Sequence, residues 1–463
     1  MIIQNISRQK IMKITTPKIL KTSLYLTWAA SVLTLTTTIA GIQGQRQAIK
    51  TVGEDATPSI VTAQRLKDAM AGMDANVVNE LLLPSGQNQD AIKGYQERYK
   101  AATERLVKAA KNITFEKEEK SILTMQRGFG EYLTKVQQAR DAHARGDINN
   151  TLIAYRGSIE IIDKQLLPAA DELDKVNLEA LDNSYNNQKS SISKSLAQIV
   201  LSGVILLTIL IGTQIFLSYR TKRNLNLFLL AATILTLAFL NYTIGVFFST
   251  SQNLRTAKED AFNSMHDLRQ ARASIYIANA AESRYLLDKA LASKYEQVFY
   301  ENINKVAKLP NNKTFDNLIT EIKENINNGN KDKKNIGFTG FLADELNNIT
   351  FKGEEEATLK NLSALGKYVT IDQQIRQLEK SGKYQEAISL CLGNQPNQSN
   401  WAFDQFRKTN DEIFKINQNE FDKAIKQAFK ATEGIEISAS LVLSAVSLMT
   451  LFGLMIRLKE YSA

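Results

Sequence analysis

Two apolar runs, residues 196–217 and 225–248, contain no Asp, Glu, Lys or Arg and are separated only by residues 218–224. Each is long enough to cross a hydrocarbon core of about 30 Å. Two similar runs lie far out on either side, at 24–42 and 437–456. The pattern predicts four membrane spans, the middle two joined as a hairpin. Between the spans, apolar residues recur in steps of three and four and nothing alternates with the period of a strand. Leu66, Met70, Met73, Val77 and Leu81 form one such seam, and Leu83-Pro84-Ser85-Gly86 ends it. Further helices are expected over about 89–111, from a cap at Thr114 to about Ala144, and from Gly146-Asp147 into the second span, with a break at Gly157 or a kink near Pro168.

The pattern then repeats. Lys50-Thr51-x-x-Glu54-Asp55-Ala56 returns as Arg255-Thr256-x-x-Glu259-Asp260-Ala261, and Asn112-Ile113-Thr114-Phe115 returns as Asn348-Ile349-Thr350-Phe351. Asp171-Glu172-Leu173-x-Lys175-Val176-Asn177 returns as Asp411-Glu412-Ile413-x-Lys415-Ile416-Asn417. Three registers in the same order predict a tandem duplication of one unit: span, four-helix bundle, span. The expected fold is therefore all-α, a polytopic membrane protein with two tandem extracytoplasmic four-helix bundles. The segments are a leader (1–23), a first span (24–42), a first bundle (43–195), a second span (196–217) and a basic tip (218–224). A third span (225–248), a second bundle (249–436), a fourth span (437–456) and a tail (457–463) follow. The second bundle is larger by 31 residues between Leu287 and Asn348, a stretch rich in Asn, Lys and Gly that buries little surface.

Charge orients this plan. The leader, the tip (Arg220, Lys222, Arg223) and the tail hold ten basic residues and one acid, Glu460, a surplus equal to the +9 of the whole chain. The long segments are thus neutral as a set. A basic surplus confined to leader, tip and tail follows the positive-inside rule, which predicts both termini in the cytoplasm and the large segments outside. The basic balance consequently gives no reason to expect nucleic acid as a partner. The first span reads as an uncleaved anchor, because it is Thr-rich and preceded by a long leader. Cys391 is the single cysteine, so no intrachain disulfide forms.

Catalytic chemistry is sparse. His143 and His266 do not correspond under the repeat, and no His/Cys spacing suits a metal. No glycine-rich phosphate loop follows a strand. Neither enzyme activity nor a cofactor is expected. The informative contrast lies between the two first helices, where the seam Leu66, Met70, Met73, Val77, Leu81 becomes Ala271, Ile275, Ala278, Glu282, Leu286. Losing that volume unfilled costs several kcal/mol. Two outcomes follow: the seam is repacked, with Glu282 paired and an aromatic residue such as Trp401 filling the gap, or it leaves a polar pocket. Arg272, Tyr276, Asn279, Glu282 and Ser283 are the candidate lining of that pocket, suited to an amino acid or another carboxylate. In the first helix, Asp74, Asn76, Asn79 and Glu80 read as a solvated face.

Glycine turns such as Arg145-Gly146-Asp147, in a helical segment held between two spans, resemble the four-helix-bundle sensor of bacterial chemoreceptors. The run 278–285 (ANAAESRY), Phe341-Leu342-Ala343-Asp344-Glu345, and Asn348 to Glu354, on a doubled four-span plan, resemble the GlnX-like membrane proteins of actinobacteria. That resemblance implies a signalling role: an extracytoplasmic solute-binding lipoprotein as one partner, a cytoplasmic Ser/Thr kinase as another, and no catalytic residue. The competing expectation is a scaffold that organises an envelope or septal complex. A homodimer is compatible with either.

Overall fold

The computed structural model describes residues 16–113, 116–221, 225–327 and 337–459. Thr114, Lys222 and Arg223 lie outside the described residues. The fold is all-α and divides into two compact units.

The apolar unit comprises 1–51, 183–254 and 425–463. It contains α1 (Thr16–Lys50), most of α6 (Leu167–Thr221), α7 (Leu227–Arg255) and α15 (Ile435–Lys459). Four helical stretches are long and apolar enough to cross a membrane, and the apolar runs they carry are those read from the sequence. Leu20, Leu24, Leu206, Leu210, Leu229, Phe239, Leu443 and Leu454 form their common core. Outside it, Leu201, Ile215, Leu227, Phe248 and Leu441 are more than 60% exposed, a surface that water would not favour and acyl chains would cover. Gly203 allows α6 and α7 to touch: a Cβ there would lie 2.3 Å from Leu240. Small residues serve this purpose between apolar helices. Asn226 caps α7, its Oδ1 accepting from Phe228 N at 3.1 Å, while its Nδ2 donates to Gly453 O at 2.8 Å.

The polar unit comprises 52–182 and 255–424. Its first segment holds α2 (Thr57–Leu81), α3 (Gln89–Lys111), α4 (Glu116–Ala144), α5 (Ile148–Ile161) and the start of α6. The second holds α8 (Asn263–Leu287), α9 (Ala292–Val306), α10 (Phe315–Asn327), α11 (Phe341–Asn348), α12 (Glu354–Lys380), α13 (Tyr384–Leu392) and most of α14 (Ser399–Thr432). Local chemistry fixes the ends. Asn88 Oδ1 accepts from Ala91 N and Asp147 Oδ1 from Asn150 N, capping α3 and α5. Gly146 and Gly382 turn the chain at φ +73° and +78°, conformations that cost a side chain-bearing residue about 1–2 kcal/mol. Gly157 does not break its helix. The irregularity is a π-helical turn, Ile162–Leu166, placed just before Pro168, whose missing N–H and ring the wider turn accommodates. Two more π-helical turns, Thr51–Ala56 and Thr256–Phe262, both begin at the Thr of the recurring Lys/Arg-Thr-x-x-Glu-Asp-Ala motif.

Both segments of this unit join in one compact body in which α2 packs along α8, so the expected tandem bundles are not shown as distinct units. Lys67 Nζ donates to Gln270 Oε1, Asp68 pairs with Arg272 at 3.2 Å, and Asn79 Oδ1 accepts from Ser283 Oγ at 2.5 Å. A Cβ on Gly72 would lie 3.3 Å from Tyr276. Partner numbers rise together along both helices, so the two run parallel, matched turn for turn. Small residues on α2 (Ala69, Ala71, Gly72, Ala75) permit the approach, and all are buried. Asp74, Asn79 and Glu80 are accordingly no solvated face. Asp74 and Asn79 are buried under α8, and Glu80 takes three hydrogen bonds from Arg140.

Candidate functional site

The α2/α8 seam is lined by charge. Arg284 reaches across to Asp74 at 2.5 Å, with both side chains at most 3% exposed. Tyr155 of α5 stands beside both, its hydroxyl 3.4 Å from Asp74 and 3.3 Å from Arg284 Nε. Burial raises the Asp74 pKa against the pull of Arg284, and the same carboxylate holds Arg284 well up. A contact this short between wholly buried groups is an ion pair whose gain offsets a large desolvation cost. Arg272 is similarly enclosed, between Asp68 and Asp411.

Above this seam a cavity of about 440 Å³ opens where α2, α3, α8 and α14 meet. Asn76 and Asn79 of α2, Arg98 of α3, Tyr276 and Asn279 of α8, and Phe403 and Arg407 of α14 line it. Tyr276 meets Phe403 edge-on at 5.0 Å between centroids. The Arg98 and Arg407 guanidinium carbons stand 4.6 and 5.5 Å from the Tyr276 centroid, cation–π distances that fix the ring. Arg98 also donates to the Tyr276 hydroxyl and lies 3.6 Å from Asp68. Asp90 accepts from Asn394 Nδ2 at 3.0 Å, tying the first segment to the second at the rim. The wall carries the guanidinium groups of Arg98 and Arg407 and the amides of Asn76, Asn79 and Asn279, a set of donors that suits a small polar molecule presenting acceptor oxygens.

Residues 48–186 match the family model described as an actinobacterial sensor domain. The matched stretch contains α2 and α3, which build one wall of the cavity, and its likeness implies a sensing or signalling role. No curated protein and no solved structure matches the chain.

Of the five residues singled out in the sequence, the cavity takes Tyr276 and Asn279. Arg272 is consumed by its two aspartates. Glu282 faces the opposite way, where Ser399 Oγ donates to its Oε2 at 2.6 Å and Cys391 Sγ lies at 3.8 Å. Burial, and then the charge of Asp372 on α12, raises its pKa. Ser283 donates to Asn79 and lies 3.4 Å from Cys391. The seam is therefore repacked around Glu282, but by hydroxyl and thiol groups. Phe403 and Tyr368, 6.2 Å apart, supply the aromatic filling, and Trp401 stays half-exposed. Sequence reasoning missed Asn76, Asn79, Arg98, Phe403 and Arg407. The usable signal was in α2, where polar residues and small residues share faces of one helix, a composition suited to packing against another polar helix. Of the basic tip, Arg220 donates from Nε to Thr16 Oγ1 at 3.2 Å.

Proposed function

We propose that this chain is a non-enzymatic transmembrane sensor of a bacterial plasma membrane, whose polar unit lies outside and whose termini and basic tip lie in the cytoplasm. A small polar ligand enters the cavity between α2, α3, α8 and α14 and is held by the polar side chains that line it, Arg98, Asn279 and Arg407 among them. Binding biases the parallel α2/α8 pair, and helices α1, α6, α7 and α15 carry the bias to a separate cytoplasmic effector. A ligand shifts such an equilibrium only by its differential affinity for the two arrangements. The duplicated span–bundle–span unit, supported by the recurring π-helical turns and glycine turns, supplies both halves of the pair within one chain. The likeness to GlnX-like proteins extends this reading to a solute-binding lipoprotein as the ligand's carrier and a Ser/Thr kinase as the effector.

The observation that carries the proposal is a cavity walled by both segments, with Arg98, Asn279 and Arg407 among its lining residues. Full-length protein in lipid nanodiscs, unfolded thermally in the presence of the twenty amino acids and of small carboxylates, tests it. One compound is expected to raise Tm in the wild type and not in Asn279→Leu or Arg407→Met. A silent panel, with the α2/α8 seam intact, favours the scaffold instead.

A further inference from the structure

A second cavity, of about 260 Å³, lies at the other end of α2, against the C-terminal turn of α3 and against α6. Its meaning comes from comparing the two segments atom by atom. Asn112 Nδ2 donates to Ser59 Oγ at 2.6 Å, and the corresponding Asn348 Nδ2 donates to Ser264 Oγ at 2.9 Å. Asn177 Nδ2 donates to Leu173 O at 2.9 Å, and the corresponding Asn417 Nδ2 donates to Ile413 O at 3.2 Å. Glu118 and its counterpart Glu354 are both buried. Two corresponding places in the unit thus keep the same polar frame.

What fills the frame differs. In the second segment the Glu345 side chain of α11 occupies it, fully buried, with its carboxyl against Ser264, Asn417 and Glu354. Counting back three residues from Asn348 and from Asn112 sets Ala109 in the place of Glu345, and Ala109 lines the open cavity together with Ser59, Asn177 and Glu118. Where one segment has a propionic acid side chain, the other has a methyl group and a space several times the roughly 30 Å³ share of one water molecule. Charge differs too. Lys108 and Lys111 line the open cavity, whereas the same count in α11 gives Asp344 and Asn347. The two lysines balance Glu54 and Asp55, which also face the space.

We propose that this cavity binds a small carboxylic acid, seated by Ser59 and Asn177 as the Glu345 carboxyl is seated by Ser264 and Asn417. The site is separate from the cavity at Tyr276 and does not depend on what that cavity binds. Propionate, which reproduces the missing side chain, is the probe. With full-length protein in nanodiscs, sodium propionate is expected to give a saturable rise in Tm beyond that of sodium chloride at equal ionic strength. Ala109→Glu, which supplies the carboxyl covalently, is expected to raise Tm without ligand and to abolish the propionate response, and Asn279→Leu to leave that response intact. Asn177→Leu provides a second variant that removes a seat without filling the space, and it too should lose the response. A wild type that responds no more to propionate than to chloride, or an undiminished response in Ala109→Glu and Asn177→Leu, would overturn the proposal.

Discussion

Replacing Asp74 by Asn is the sharpest probe of the α2/α8 seam. It removes the charge that faces Arg284 at 2.5 Å in a site where both side chains are at most 3% exposed. Arg284 then keeps the half-exposed Asp163, 3.4 Å away, as its anionic partner, with the Tyr155 hydroxyl 3.3 Å from its Nε. Breaking a buried pair from one side costs about 3–5 kcal/mol, because the remaining charge is stranded. The residual Asp163 contact places Asp74→Asn near the lower figure. Arg284→Met strands Asp74 with only Tyr155 for company and should cost as much or more. Replacing both partners by apolar residues, Asp74→Leu with Arg284→Met, removes the charges together and is expected to be close to neutral. At about 2–4 °C of Tm per kcal/mol for a domain of a few hundred residues, each single change should lower Tm by roughly 6–12 °C and the double change by much less. Thermal unfolding of the four proteins in nanodiscs, followed by circular dichroism, completes the double-mutant cycle. Additive losses would mean that the residues do not meet, and the register of α2 on α8 would be refuted.

Stability should fall as pH rises from about 5 to 9. Burial lowers the His266 pKa, but hydrogen bonds to Asp174 and Asp267 outweigh it and raise the imidazolium to about 9, so its contribution is complete below about 6.5 and lost as pH passes 9. Burial, with Glu354 and Asp267 acting in the same direction, pushes Glu345 up to about 8, so its ionisation penalty grows between about 4.5 and 8. In both cases the folded state holds the extra proton. Tm measured across this range should decline, His266→Gln flattening the upper part and Glu345→Gln the lower, and a Tm that rises with pH would contradict both assignments. In the apolar unit, Gly203→Leu should separate α6 from α7 at a cost of about 1–3 kcal/mol, read as a lower Tm in nanodiscs. An unchanged Tm would mean that the two helices do not touch there.

The spans were legible because a run such as 225–248 has no competing explanation: nothing but a bilayer or a deep core accepts it. Helix ends were legible where the chemistry is local, as at Leu83-Pro84-Ser85-Gly86 and at Gly146-Asp147. The site was legible only in part, for a physical reason. Glu282 stood out as a polar residue in an apolar seam and Asn279 as part of a candidate pocket lining beside it, yet which neighbour each meets depends on helices more than 100 residues away. Glu282 found Ser399, and Asn279 found the cavity. Asp74 and Asn79 were misread as solvated because their own helix, read alone, offers them nothing but water. The partner surface, α8, becomes visible only when the duplicated segments are allowed to fold against each other.

The central claim is that the two halves of one chain supply the parallel α2/α8 pair that builds the cavity. Cysteines replacing Asn79 and Ser283, whose side chains meet at 2.5 Å, test it directly once Cys391, 3.4 Å from Ser283, is changed to Ser. Oxidised in native membranes, the double-cysteine protein should form an intrachain disulfide, seen as a monomer of altered mobility that reduction restores. A covalent dimer, or two thiols that remain free under oxidation, would contradict the account.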